Sequence, residues 1–244
     1  MQLAPLRQPL LEALHEQLIW GGLPELIQKS SATEKLRYLR DYLQTYFEKD
    51  IRGLPTITDL DLYRKLLHII AEQTGSLRQD ERIKQVLSCA RETLNKYRGY
   101  LIATMLYREL YPYIGATLRR ITKAPKGYLT DNGLISYLTG ISERPILEKS
   151  GQLGHRFENW FLQELQISLD REVKFNDIYY WRTSGGVEVD FVVTIAPKVF
   201  PFEVTCSRHI EARKVKNLRS FLREHPEASC GFYVYLGDFH YQAA

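Results

Sequence analysis

Apolar residues recur at helical spacing through the first part of the chain and alternate at strand spacing in its last third. The opening thirty residues read as a helix, a turn at Gly21-Gly22-Leu23-Pro24 and a short second helix. Ser31-Ala32-Thr33-Glu34 has the spacing of a capping box. It opens an amphipathic helix with Leu36, Leu39, Leu43, Tyr46 and Phe47 on one side, running to about Asp50 and stopping before Gly53 and Pro55. Three further helices are predicted over Leu60–Thr74, Gln79–Leu87 and Ala90–Leu101, with Gly75 ending the first. Ile102–Tyr111 then reads as extended until Pro112, and Leu118–Thr122 as the returning strand of a hairpin. Three helices followed by a hairpin is a winged-helix-like arrangement, whose third helix would be the groove-reading element of a DNA binder.

The pattern changes at Lys126. Lys126–Gly140 predicts a short strand, a turn at Asp131-Asn132-Gly133 and a short helix, with Pro145 in a loop. Gly154–Leu169 is a strong helix. Tyr179–Arg182, Val187–Ile195 and Val199–Thr205 read as strands, divided by Gly185-Gly186 and Ala196-Pro197-Lys198. A helix over Ile210–Glu224 and a strand over Cys230–Leu236 complete an αβββαβ order. The expected division is a helical segment over 1–55, a winged-helix-like domain over 56–125 and an α/β domain over 126–244.

Composition narrows the class. Hydrophobic residues make up 44% and charged ones 25%, which is ordinary for a globular protein. No apolar run is long enough to span a bilayer and the N-terminus lacks a signal-peptide pattern, so a cytoplasmic protein with no membrane partner is expected. Cys89, Cys206 and Cys230 are scattered, forming neither a disulfide framework nor a CxxC motif. No GxxxxGK[ST] occurs, so the chain has no P-loop site for ATP. The net charge is only +4, but it is uneven. Residues 91–126 hold eight basic residues against two acidic, and residues 208–225 six against two, leaving the remainder net acidic. Arg91, Lys96, Arg98, Arg119, Arg120 and Lys123 are therefore the candidate contacts to DNA or RNA phosphate. The same charges would also suit solvated helix faces.

Candidate chemistry lies on the strands. In Val187–Val193, alternation sets Val187, Val189, Phe191 and Val193 on one face and Asp190 on the other. Glu203 sits mid-strand in Val199–Thr205. A carboxylate inside each of two neighbouring apolar strands is costly unless a cation meets it. Mg²⁺ suits such a pair because it needs only one or two protein carboxylates. Glu158 falls within the apolar arc of the preceding helix and is the third candidate ligand, with Glu164 competing for that role. The alternative is an ion-pair network in which Arg182 or Arg156 supplies the cation.

This order, with an acid on the first helix, Asp on one strand and Glu on the next, resembles the PD-(D/E)XK nuclease superfamily and its restriction-endonuclease-like fold. The resemblance implies carboxylates that hold Mg²⁺ and a lysine that orients the attacking water. Over nearly its whole length the chain also resembles the domain of unknown function that follows the ATPase module in prokaryotic AAA-type ATPases. The matching segments are Gly21–Glu25, Tyr42–Ile51, Thr93–Tyr97 leading to Tyr111–Tyr113, Lys126–Leu134, Phe157-Glu158-Asn159, Tyr180-Trp181-Arg182 and Glu188–Val193. The nuclease pattern would place lysine at position 205, where this chain has Thr205. Lys214 on the following helix, or Arg182, is then the replacement candidate. The expectation is an accessory module of such an ATPase, supplied in cis or in trans. It would be regulatory or nucleic-acid-binding, with a degenerate nuclease site; the alternative is an active Mg²⁺-dependent nuclease.

Overall fold

The computed structural model describes residues 7–52, 57–113, 124–171 and 175–237. They divide between two compact units, one drawn from residues 1–109 and 127–160, the other from 110–126 and 161–244.

The first unit is mostly helical. It holds α1 (Arg7–Trp20), α2 (Pro24–Ile27), α3 (Ala32–Tyr46) with a π-helical turn over Phe47–Ile51, α4 (Leu60–Glu72), α5 (Asp80–Leu87) and α6 (Arg91–Ala103). The capping box forms as its spacing predicts. Ser31 Oγ accepts from Glu34 N at 3.2 Å, and Glu34 Oε2 accepts from Ser31 N at 3.1 Å. Strands β1 (Ser76–Leu77), β2 (Tyr107–Leu110) and β3 (Lys126–Leu129) form a sheet in the order β1-β3-β2. α6 continues to Ala103, so the extended segment expected from Ile102 begins only at Tyr107. The expected strand at Leu118–Thr122 lies outside the described residues.

The α/β domain was expected to begin at 126, but residues 127–160 group with the first unit. The reason is α7 (Asn132–Thr139), which packs against α1, α3 and α4. Asp131 caps it: Oδ1 accepts from Gly133 N at 2.7 Å and Leu134 N at 3.2 Å. Asp131 Oδ2 accepts from Gly22 N at 2.8 Å, just past the end of α1. Gly21 has φ +73°, and a Cβ there would lie 2.2 Å from the Asp131 carboxylate. A Cβ at Gly133 would lie 2.3 Å from the Trp20 carbonyl oxygen. The Gly21-Gly22 and Asp131-Asn132-Gly133 motifs are thus two sides of one close approach. Arg156, 1% exposed, secures the same helix by donating to Asn132 O at 2.8 Å and Ser136 Oγ at 3.0 Å. Pro145, expected in a loop, stands in the first turn of α8 (Arg144–Lys149), where its missing N–H costs nothing.

α9 (Leu153–Asp170) begins in the first unit and ends in the second. The second unit adds β4 (Asn176–Arg182), β5 (Glu188–Ile195), β6 (Lys198–Val204), α10 (Ala212–Glu224) and β7 (Phe232–Val234). The sheet order is β4-β5-β6-β7, antiparallel except for the parallel β6–β7 pair. Phe191 and Phe202 are paired across β5 and β6, and both rings meet Phe161 of α9, with centroids 5.8 and 5.9 Å away. On the other face, Leu218 and Phe221 of α10 join Trp181, Val189, Val192, Val199 and Tyr113 in one buried cluster. Val189 was expected with Phe191. The pairing of β4 with β5 explains the difference: Tyr179 pairs with Val192 and Trp181 with Val189, so β5 carries one extra residue there. That bulge, at Asp190-Phe191, breaks the alternation. No helix of the described residues is long and apolar enough to cross a membrane.

Replacing Asp131 with Ala should destabilise the chain by about 2–4 kcal/mol, from a lost cap and orphaned buried N–H groups. Asp131→Asn, which keeps one accepting oxygen, should lose less. Urea denaturation checks the order; equal losses, or none, would refute the account.

Candidate functional site

Asp190 and Glu203 lie on neighbouring strands, 7% and 1% exposed. Phe191 and Phe202, the next residue and the preceding one, reach α9, so the two acids point to the opposite side of the sheet, toward α10. There Lys214 meets both. Its Nζ donates to Asp190 Oδ2 at 2.7 Å, to Glu203 Oε2 at 2.8 Å and to the Val204 carbonyl at 2.9 Å. All three ammonium hydrogens thus have acceptors. Asp190 Oδ2 also accepts from Val204 N at 2.8 Å, and Glu203 Oε1 accepts from Asn217 Nδ2 at 3.0 Å. Asn217 is one helical turn beyond Lys214, so a single face of α10 serves both carboxylates.

The two acids respond oppositely to this setting. Burial pushes the Asp190 carboxyl up, but Lys214, Lys126 and the hydrogen bonds from Lys214 and Val204 N outweigh it, holding it below its ordinary value. Glu203 is pushed up from its ordinary 4.5 to about 8, first by burial and then by the negative charge of Asp190. Lys214 opposes that rise without cancelling it. Burial depresses the Lys214 ammonium, yet the pair of carboxylates raises it overall. Of the two acids, Glu203 is thus the one that takes a proton more readily and Asp190 the one that keeps its charge.

The remaining candidates are placed as follows. Thr205 donates to Glu211 Oε1 at 2.8 Å and accepts from Ser207 N at 3.2 Å, so its hydroxyl serves the turn into α10. Arg182 pairs with Glu188 at 3.4 Å, and Lys126 pairs with the same glutamate at 2.5 Å. Neither Arg182 nor Arg156 is the cation that meets the strand acids; Lys214 is. Glu158 belongs to the first unit, where the Tyr128 hydroxyl donates to it. Among the described residues, no three His, Cys, Asp or Glu side chains group to hold a metal ion. Of the proposed phosphate contacts, Arg91 is exposed and pairs with Glu81, and Lys96 is exposed. Arg98 is not available to a partner: it is 4% exposed and held by Asp80 at 2.6 Å and Glu109 at 3.3 Å. Arg119, Arg120 and Lys123 lie outside the described residues. Sequence reasoning missed Asn217 and the Val204 backbone. The one available signal was a polar residue three positions after Lys214 on a helix whose other inward positions are apolar.

Two family models match the chain. A domain of unknown function, DUF8612, covers residues 11–145, and a second domain of unknown function, DUF4143, covers residues 153–244. Uncharacterized proteins of Mycobacterium bovis and Mycobacterium tuberculosis are each 28% identical over 184 residues, 75% of this chain. That stretch is 41% of the length of those relatives. No solved structure gives a significant match.

Removing the ammonium leaves two buried acids unpaired. Lys214→Met should therefore destabilise the second unit by about 3–5 kcal/mol. Adding Asp190→Asn and Glu203→Gln should recover much of that loss. A triple variant no more stable than Lys214→Met would refute the charge account. The sign of the Glu203 effect follows from its raised value. The folded state holds the proton more tightly, so this stability is full below the ordinary carboxyl range and is lost as pH rises through about 8. Glu203→Gln should flatten the thermal-stability profile across that window, and an unchanged slope would assign it elsewhere.

Proposed function

The chain belongs to the family of domain of unknown function DUF8612, and we propose that it is an accessory module of a prokaryotic AAA-type ATPase carrying a nuclease-like framework that does not cleave. The observation that carries this reading is the placement of Lys214. Its ammonium stands between Asp190 and Glu203, in the space a divalent ion would need. Asp190 Oδ2 and both oxygens of Glu203 are already engaged, and Glu203 takes a proton more readily than an ordinary carboxyl. Mg²⁺ is the ion this pair would accept, but it would have to displace the ammonium and compete with protonation of Glu203. Thr205 brings no charge with which to stabilise a nascent hydroxide.

The fold part of the reading rests on topology. We take α4 to β3 as winged-helix-like, because three helices accompany a β1-β3-β2 sheet. We take α9 to β7 as restriction-endonuclease-like, because two antiparallel pairings are followed by a parallel one after a crossover helix. The ATPase part rests on the match to DUF4143, a domain common in C-terminal regions of AAA-type ATPases, and on relatives longer than this chain.

The test is a cleavage assay on linear, branched and single-stranded DNA with Mg²⁺ or Mn²⁺. The native chain should be inactive and Asp190→Ala indistinguishable from it. A Thr205→Lys, Lys214→Ser variant moves the cation to the motif position, and cleavage by it would support a silenced nuclease framework. Native cleavage that Asp190→Ala abolishes would overturn the reading and make Lys214 the working lysine of an active nuclease. For the ATPase assignment, a P-loop is expected in the coding sequence upstream of Met1 or in an adjacent gene, and its absence from both would count against it.

A further inference from the structure

The helix that closes the acidic pair presents a different surface to solvent. Lys216, Arg219 and Arg223 are all exposed on α10. At about 100° per residue they fall within an arc of about 60°, opposite Lys214, Leu218 and Phe221. Lys216 to Arg223 spans about 10 Å along the axis. Among the described residues none of the three has an acidic partner; Arg223 donates only to Ser220 Oγ, at 3.2 Å. Arg40, Arg64 and Arg144 of the first unit are exposed too, but each pairs with a neighbouring carboxylate. Lys216, Arg219 and Arg223 flank Leu222 along this open surface.

We propose that the outer face of α10 binds the phosphate backbone of duplex DNA through Lys216, Arg219 and Arg223. A straight row of unpaired cations suits a regular row of phosphates. The stripe has no aromatic side chain on which an unstacked base could lie, as single-strand and RNA readers use. Its lining contains one apolar residue, Leu222, too little for a helix that inserts into a lipid surface. Binding of this kind carries no sequence information and falls with salt. This inference goes beyond the accessory, non-cleaving reading and is decided on the opposite face of the helix. DNA can fail to bind while the acidic pair stays silent, and the reverse.

Fluorescence anisotropy with a labelled duplex tests it on the full chain. Three phosphate contacts predict at least a roughly 40-fold loss of affinity between about 50 and about 200 mM salt. Neutralising Lys216, Arg219 and Arg223 together to Gln should weaken binding and lower the slope of log affinity against log salt by about 2.7. Neutralising Arg40, Arg64 and Arg144 to Gln changes net charge equally and should leave binding near native. Thermal melts of both triple variants establish that they are folded. Absence of native binding at low salt overturns the proposal, as does equal weakening by both triples. Preference for single-stranded DNA, duplex RNA or phosphatidylserine vesicles over the duplex assigns the stripe to another partner and overturns it too.

Discussion

A single ammonium holds two buried carboxylates, and the arrangement of the second unit depends on it. Burying either acid alone costs several kcal/mol, and burying both side by side adds their repulsion. Lys214 offsets this only if its Nζ reaches both oxygens and the Val204 carbonyl together. That fixes the position of α10, which Leu218 and Phe221 anchor independently in the apolar cluster under the sheet. It also fixes Asp190, which stands at the bulge in β5. Polar and apolar contacts thus place one helix twice over. This redundancy lets a costly ionic group persist in a small core.

Asp131 is equally deep in the first unit, and the comparison shows why burial alone does not mark a chemical site. Its partners are three backbone N–H groups, with Arg156 acting only through its charge. Burial dominates, and the carboxyl is raised above its ordinary value. Such a group caps a helix and joins it to the end of another. Asp190 has a titratable neighbour, Glu203, and an ammonium on a long side chain, Lys214; Asp131 has neither within its hydrogen bonds. Exchange of a proton or an ion is feasible at the first and not at the second.

How much of this was legible in the sequence depended on the range of each interaction. Strand alternation was enough to single out Asp190 and Glu203, because that pattern is local. Lys214 could be named only as one cation among several, since the crossover from Glu203 to α10 does not fix the reach of a side chain. The bulge left no signature: Val189 reads as a partner of Phe191, yet lies with Trp181 and Leu218. Arg98 looked like part of a basic surface because Asp80 lies outside the window in which the charge was counted, and because nothing in the sequence turns Glu109 of β2 toward Arg98. For the same reason the boundary expected at 126 missed the packing of α7 on α1, α3 and α4. Net charge over a window does not say which of its cations are paired.

The two basic segments differ in what their cations meet. Among the described residues of the one around α6, three cations are taken up by the fold: Arg98 is buried, Arg91 is paired with Glu81, and Lys126 is paired with Glu188. The one on α10 is divided by the helix itself. Lys214 turns inward and is spent on the acids, while Lys216, Arg219 and Arg223 turn outward with no carboxylate assigned to them among the described residues. The same ten-residue stretch of sequence therefore gives one cation that stabilises a core and others that only a partner can neutralise. A helix so constrained on its inner face cannot rotate to hide the outer one. The outward charge is then a fixed feature of the surface rather than a fluctuating one, as attraction to a regular array of phosphates requires.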